Sequence, residues 1–423
     1  MLIKNSAELG STELRRRALQ ILEAGLAAAA PDAVMRQNVS VSDAGIKIAG
    51  ETIGFNEVER VFVFALGKCA LSSALTLEDV LGERISGGAV LDIRPGNLKR
   101  LKYYVGDHPY PTERNISATR EILDSLKDLT ARDLVLFVIS GGGSTLLCQP
   151  NGIVLEDELN IVQVLFKAGA TITELNTVRK HLSFARGGHL AMAAYPARVV
   201  SLIFSDVPGD DIGFISSGPT VQDETTVSDA RAILSKYGIN LPENGITETP
   251  KDGKFFEKVK NILVASNRMS LSAMSQKAEE LGLAPKIITS ALEGEAREVG
   301  VKIAGEIHPA PAGTVNLYAG ETTVTIKGDG QGGRNQELAL GAVAEIQKGE
   351  LVASIASDGR DNGDHAGALC DIITREKSVV LNLNTGDYLA RNDSYHFFSA
   401  TRDYLETGST GANLSDLIIA VKF

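Results

Sequence analysis

Six apolar runs of strand length, rich in β-branched residues, recur along the chain: Val61 to Leu66, Val90 to Ile93, Leu134 to Ile139, Val199 to Phe204, Ile262 to Ala265 and Leu351 to Ile355. Five of them are followed shortly by Gly or Asp, and Ile262 to Ala265 by Ser266-Asn267, before a segment of helical character. Uninterrupted runs of this kind belong to strands buried on both faces, so the sequence predicts an α/β fold with a mostly parallel, doubly wound sheet. Ligands of such sheets bind beyond the carboxyl ends of the strands. The residues after each run are therefore the first place to look for chemistry.

A chain of 423 residues with 43% hydrophobic content is too long for one ordinary domain and long enough to bury two cores. The polar, turn-rich stretch from Leu241-Pro242 to Asp252-Gly253 predicts a linker at 241–255, between a larger domain at 1–240 and a smaller one at 256–423. A net charge of −11 with no segregated basic patch argues against a nucleic acid partner. The longest apolar runs fall far short of the roughly 20 residues of a spanning helix. The N-terminus lacks the basic-then-apolar order of a secretory signal. No membrane partner and a cytoplasmic location are expected. Cys69, Cys148 and Cys370 form neither a disulfide framework nor a C-x-x-C metal pattern. The alanine-rich Ala24 to Ala30 continues an N-terminal helix that ends before Pro31.

Val61 to Leu66 runs into Gly67-Lys68, which places a lysine at the mouth of the sheet, able to reach a phosphate or simply solvated. Leu134 to Ile139 runs into Ser140-Gly141-Gly142-Gly143-Ser144, whose backbone amides and hydroxyls suit phosphate oxygens, with a plain structural turn as the alternative. After Val199 to Phe204 come Asp206, Asp210 and Asp211, carboxylates that a magnesium ion could join or that could accept a hydroxyl proton. Asp210 and Asp211 could equally cap the next helix. Asp358 repeats the pattern after Leu351 to Ile355. Arg179 and Lys180 offer cations to a small carboxylate or phosphate, or to an internal salt bridge.

The segment from Gly328 to Glu337 sets two readings against each other, because its glycines precede Arg334 and a predicted helix, and a strand-like Thr322 to Ile326 precedes them. Its spacing satisfies G-x-G-x-x-G, the dinucleotide fingerprint, so hydride transfer competes with phosphoryl transfer. Thr322 to Ile326 alternates like an edge strand rather than a buried first strand, and Arg334-Asn335-Gln336 occupies the helix start. A fixed cation at the tip of a phosphate loop serves a phosphoryl transition state better than a hydride.

Taken with Gly67-Lys68, Ser140 to Ser144, Asn176 to Ser183, Ser205 to Asp211, Gly320 to Val324 and Ser357 to Gly359, the block Gly332-Gly333-Arg334-Asn335-Gln336-Glu337 resembles the glycerate 2-kinase family with a C-terminal MOFRL domain, through nearly the whole chain. The resemblance implies a Rossmann-like N-terminal domain, a smaller α/β C-terminal domain and an active site in a cleft between them. It further implies transfer of the γ-phosphoryl group of ATP, with Mg2+ or another divalent cation, to the 2-hydroxyl of D-glycerate. The family's catalytic lysine and arginine correspond to Lys68 and Arg334, with Asp206 as the accompanying acid. Nucleotide binding falls to Ser140, Gly141, Gly142, Gly143, Ser144, Gly332, Gly333 and Asp358, substrate binding to Arg179, Lys180, Glu321 and Asn335, and metal binding to Asp206 and Asp210. Homo-oligomer formation is left open, and NAD(P)-dependent hydroxypyruvate reduction is the competing activity. Two stretches depart from the family pattern: Pro208, and the charged run Arg360 to His365.

Overall fold

The structure is a computed structural model that describes residues 1–423 except Pro208 and the side chain of Glu243. The reading of Pro208 therefore lies outside the described residues. The chain forms two compact units, residues 31–264 and residues 1–30 with 265–423. The expected linker at 241–255 lies inside the first of these. The N-terminal thirty residues belong with the C-terminal half.

In the unit 31–264, six strands build one sheet: β1 (Arg60–Leu66), β2 (Ile85–Asp92), β3 (Lys102–Val105), β4 (Asp133–Ile139), β5 (Arg198–Phe204) and β6 (Val259–Ala265). Their order is β3-β2-β1-β4-β5-β6. The pairs β1 with β2, β1 with β4, β2 with β3 and β4 with β5 are all parallel. Every residue of β4 is buried, as the unbroken run Leu134 to Ile139 requires of a central strand. The order reverses between β1 and β4, so the loops after these two strands flank the topological switch point, where an open α/β sheet binds its ligand. Gly67-Lys68 and Ser140 to Ser144 are those two loops. Strand β2 begins five residues earlier than its apolar run because Gly87 and Gly88 interrupt the pattern. At Gly88 a Cβ would stand 1.9 Å from the Val63 carbonyl oxygen, so the sheet itself demands the glycine. A small antiparallel sheet, Val39–Ser42, Gly45–Ile48 and Glu51–Gly54, completes the unit.

The other unit carries β7 (Ala284–Leu292), β8 (Thr314–Gly320), β9 (Glu350–Ile355), β10 (Gly367–Asp371), β11 (Tyr404–Leu405) and β12 (Asp416–Lys422), ordered β7-β8-β12-β9-β10-β11. Only β7 and β8 pair in parallel; β12 runs antiparallel to both β8 and β9. This sheet is mixed, in contrast to its parallel counterpart. Helices Glu13–Ala29 and Asn267–Glu280 pack one face through Leu22, Leu26, Leu271, Leu317 and Ile419, while Ala296–Ile307 and Arg334–Val343 pack the other through Ile303, Leu338, Val352 and Ile418.

The N-terminal helix ends at Ala29, and Pro31 opens the next helix, where its fixed φ and missing N–H cost nothing. Its docking is specific. Gly25 lets Met274 approach to 2.6 Å of where a Cβ would be. Arg15 is buried and binds Asp371 through two nitrogens at 2.7 and 2.6 Å and Asp403 at 2.8 Å. The predicted strand Thr322 to Ile326 is replaced by a single bridge between Thr323 and Glu295. Its backbone meets the turn beyond β7, where the Thr323 N–H donates to the Gly294 carbonyl at 2.8 Å, and the strand that enters the glycine loop is β8, which is buried along its whole length.

Candidate active site

At the switch point the backbone of one loop is packed directly against the other. Gly67 takes φ +107°, and a Cβ there would lie 2.4 Å from both the carbonyl oxygen and Oγ of Ser140. The Lys68 N–H donates to the Gly141 carbonyl at 3.0 Å, and the Cys69 N–H donates to Ser140 Oγ at 3.0 Å. Behind them, Asp92 at the end of β2 accepts from the Leu71 N–H at 2.8 Å and pairs with Arg94, whose guanidinium donates to the Lys68 carbonyl at 2.8 Å. Lys68 is thus fixed at its backbone on two sides. Its half-buried ammonium forms no ion pair among the described residues, and together with burial it holds the His108 imidazole below its usual range.

Ser140 hands the same order to the serines downstream. Ser216 Oγ donates to the Ser140 carbonyl at 2.7 Å, Ser217 Oγ donates to Asn176 Oδ1 at 2.8 Å, and Ser144 and Ser217 share a hydrogen bond of 2.9 Å. Ser216 and Ser217 are buried and take φ +52° and +58°. Two consecutive non-glycine residues in the left-handed region store strain, which a fold holds where side chains must face one point. Gly142 sits at φ +84° beside the Lys68 chain. The glycine triplet gave no hint of Ser216, Ser217 or Asn176 as its partners, since the signal is a backbone conformation that no composition rule encodes.

Of the two expected cations on helix Ile172–His181, Lys180 is buried and paired with Asp223 at 3.1 Å. Arg179 is half-buried and forms no ion pair among the described residues. Asp206 is half-buried just after β5, Asp210 adopts φ +60°, and Asp211 caps the following turn through the Gly213 N–H at 2.8 Å. No group of three or more potential metal-ligating side chains is gathered among the described residues. A magnesium ion carried on nucleotide phosphates needs only one or two carboxylates, which Asp206 and Asp210 can supply.

The glycine loop of the other unit is differently employed. The N–H groups of Lys327 and Gly328 donate to Asn392 Oδ1, that of Gly330 to the Arg391 carbonyl, and that of Gln331 to Asp393 Oδ1. The start of helix Arg334–Val343 already holds a carboxyl group of the protein, one that burial raises above its usual range while the Asn335 and Gln336 donors oppose the shift. Buried Asp361 accepts from the Asn335 N–H at 3.0 Å, the Gln336 N–H at 2.8 Å, Asn335 Nδ2 at 3.2 Å and Gln336 Nε2 at 3.1 Å. A Cβ at Gly333 would lie 2.3 Å from Asp361 Oδ1, and one at Gly332 would lie 2.1 Å from Ser394 Oγ. Gly332 and Gly333 therefore admit the protein's own side chains where a nucleotide phosphate was expected. Asn335 also meets the fold through its side chain, whose Oδ1 accepts from Ser354 Oγ at 2.5 Å. Gln336 accepts from His365 Nδ1 at 3.0 Å, and that imidazole, stacked between Tyr395 and Tyr404, is pushed down to about 4 by burial. From the charged run Arg360 to His365, the buried Asp361 and His365 thus frame the helix start, while Arg360, Asn362 and Asp364 are exposed.

Arg334 is not a bare cation either. Its Nε and Nη2 bind Asp416 at 2.5 and 3.1 Å, and Nη1 lies 3.2 Å from Glu321. Burial pushes the Asp416 carboxyl up to about 6, with Arg334 opposing the shift, so it is ionised at neutral pH. Glu321 orients Arg334, and Asp358 stands exposed after β9, its carboxylate accepting from the Arg360 N–H at 2.9 Å.

A domain of unknown function (DUF4147) matches residues 17–248, and the MOFRL family matches residues 314–416. The chain is 35% identical to the D-glycerate 2-kinase of Thermotoga maritima, over 96% of this chain and 98% of that one. It is 40% identical to a protein of Agrobacterium vitis that bears the name hydroxypyruvate reductase, over 85% and 86% of the two chains. The crystal structure of a Thermotoga maritima glycerate kinase superposes with a TM-score of 0.85 at 34% identity, covering 96% of this chain and 99% of that one. Matched along nearly its full length in both sequence and fold, the chain belongs to the glycerate 2-kinase family of phosphotransferases.

Proposed function

We propose that this chain transfers the γ-phosphoryl group of ATP to the 2-hydroxyl of D-glycerate, giving 2-phosphoglycerate and ADP. The observation that carries the reading is Lys68, a half-buried ammonium without an ion pair among the described residues, held against the Ser140 to Ser144 loop at the switch point. Backbone amides and hydroxyls of that loop suit phosphate oxygens, and a cation fixed at its backbone meets the charge that grows on the peripheral oxygens at the transition state. Arg334, whose orientation Asp416 and Glu321 set, is the second cation assigned to the transferred group. Asp206 is assigned to the acceptor hydroxyl, whose proton it takes, or to the metal. Magnesium bound to the nucleotide supplies neutralisation of the phosphate oxygens; Asp206 and Asp210 are the residues that would hold it. Three buried cysteines outside any disulfide fit a reaction in the reducing cytoplasm.

Hydroxypyruvate reduction is the second reading, favoured by the strand order of the parallel sheet, which dinucleotide-binding folds share. Against it, the first strand-to-helix turn carries Gly67-Lys68 in place of the glycine fingerprint. The one G-x-G-x-x-G, at Gly328, leads to a helix start that Asp361 occupies.

The test couples purified protein, D-glycerate and MgATP to enolase, pyruvate kinase and lactate dehydrogenase, omitting phosphoglycerate mutase. Immediate NADH loss is expected. A signal only after mutase is added would assign the 3-phosphate instead, and silence in both, with NAD(P)H oxidised by hydroxypyruvate, would replace the kinase with the reductase.

A further inference from the structure

Arg179 follows Asn176 by three residues on helix Ile172–His181, so their side chains occupy one face. Asn176 is joined through Ser217 to Ser144, and that face is thereby turned toward the hydroxyl end of the phosphate loop. The neighbouring cations are neutralised. Lys180 has Asp223, and buried Arg186 has Glu158 at 2.6 Å while also donating to the Arg179 carbonyl at 3.4 Å. The Arg179 guanidinium has no carboxylate of its own among the described residues. The charged groups that act on it are Arg186 and Glu158, so two guanidiniums face one carboxylate and one positive charge is left over. Burial and then Arg186 pull its pKa down to about 10, the mark of a cation that the fold holds without compensation. Arg186 Nε, also buried, has no hydrogen-bond partner.

We propose that Arg179 is the anchor for the carboxylate of the acceptor, and that it restricts the enzyme to hydroxy acids against neutral polyols. The inference rests on the kinase reading for its substrate. A single surplus charge on a planar fork matches a carboxylate monoanion, which two parallel N–H bonds can take at once. The nucleotide's several charges have Lys68 and the Ser140 to Ser144 loop. A site that keeps an unpaired ion for its ligand rejects an analogue lacking the counter-charge strongly, because the ion then stays buried and unpaired.

The experiment compares wild type with Arg179→Met, using D-glycerate and glycerol, which has the same hydroxyls and no carboxylate, as acceptors. The KM for D-glycerate should rise about 100-fold or more in the variant, the KM for ATP should stay within about twofold, and the preference for D-glycerate over glycerol should collapse. Ligand-free Tm should hold or rise, since an uncompensated cation has been removed. D-glycerate alone should raise the Tm of wild type and not of the variant, a readout that survives failure of the kinase reading because it needs no turnover. An unchanged KM for D-glycerate, a raised KM for ATP in its place, a fall in ligand-free Tm, or equal stabilisation of both proteins by D-glycerate would each overturn the anchor.

Discussion

The loops after β4 and after β8 both read as glycine-rich phosphate grips with a cation nearby, yet the fold treats them in opposite ways. Around Ser140 to Ser144 the glycines admit another loop of the sheet, two serines are held in strained conformations, and Lys68 keeps a charge that no carboxylate of the described residues cancels. Around Gly328 to Gly333 the same residue type lets Asn392, Asp393 and Asp361 bond to the backbone, and Arg334 is clamped by Asp416 and Glu321. Glycine signals close approach, and only the partner tells whether that is ligand or protein. An anion site that the protein fills with its own carboxylate is a structural device. One that keeps its cation unpaired is poised for a ligand.

Variants at the two loops should separate along this line. Lys68→Met should lower kcat by about 10³-fold or more, some 4 kcal/mol of transition-state stabilisation, with the melting temperature unchanged; loss of folding instead would make Lys68 structural. Asp361→Ala should do the reverse, costing about 3–5 kcal/mol in urea denaturation because four donors lose their buried carboxylate. A variant as stable as wild type would return the helix start to the ligand. Smaller, and intermediate in kind, is the pH response of the Arg334 clamp. With Asp416 raised to about 6, its protonation below that pH releases the guanidinium, so kcat should show an acid limb near 6 that Asp416→Asn abolishes along with about tenfold to a hundredfold of activity. The stability effect has the opposite sign. A carboxyl whose pKa is higher folded than unfolded favours the native state at low pH, and that contribution declines as pH rises from about 4 to about 6. Least costly is Gly142→Ala, whose φ of +84° strains the new side chain by about 1–2 kcal/mol, while the Cβ meets the flexible Lys68 chain at 3.2 Å and His108 Cδ2 at 3.6 Å. It should raise the KM for ATP about tenfold; an unchanged KM would remove the glycine triplet from the phosphates.

The buried strands were legible because apolar runs of this length leave few alternatives, and all six named runs fall in strands, with only Ile93 beyond the end of its strand at Asp92. The mixed sheet was not. β8 and β12 carry Asn316, Gly320 and Asp416 among their apolar residues, and antiparallel pairing across a hundred residues leaves no local pattern. The alternation of Thr322 to Ile326 imitated a strand without a partner. The N-terminal helix was legible and its destination was not, since the buried Arg15 meets Asp371 and Asp403 from the far end of the chain. At the site, Lys68 and the Ser140 loop were readable from their place after strands. Ser216 and Ser217 were not, because strain is a property of the backbone path. At Lys180 and Asn335 the sequence shows a polar side chain but hides the partner, Asp223 or Asp361, that each meets in the fold.

Hydrogen exchange measured with and without MgATP tests the central claim most directly, because backbone amides distinguish the two glycine loops in one unmodified protein. Slowed exchange at the amides of residues 141–145 and 68–69, with 330–336 unchanged, is the predicted result. Slowed exchange at 330–336 with none at 141–145 would place the nucleotide on the Gly328 loop and contradict the account.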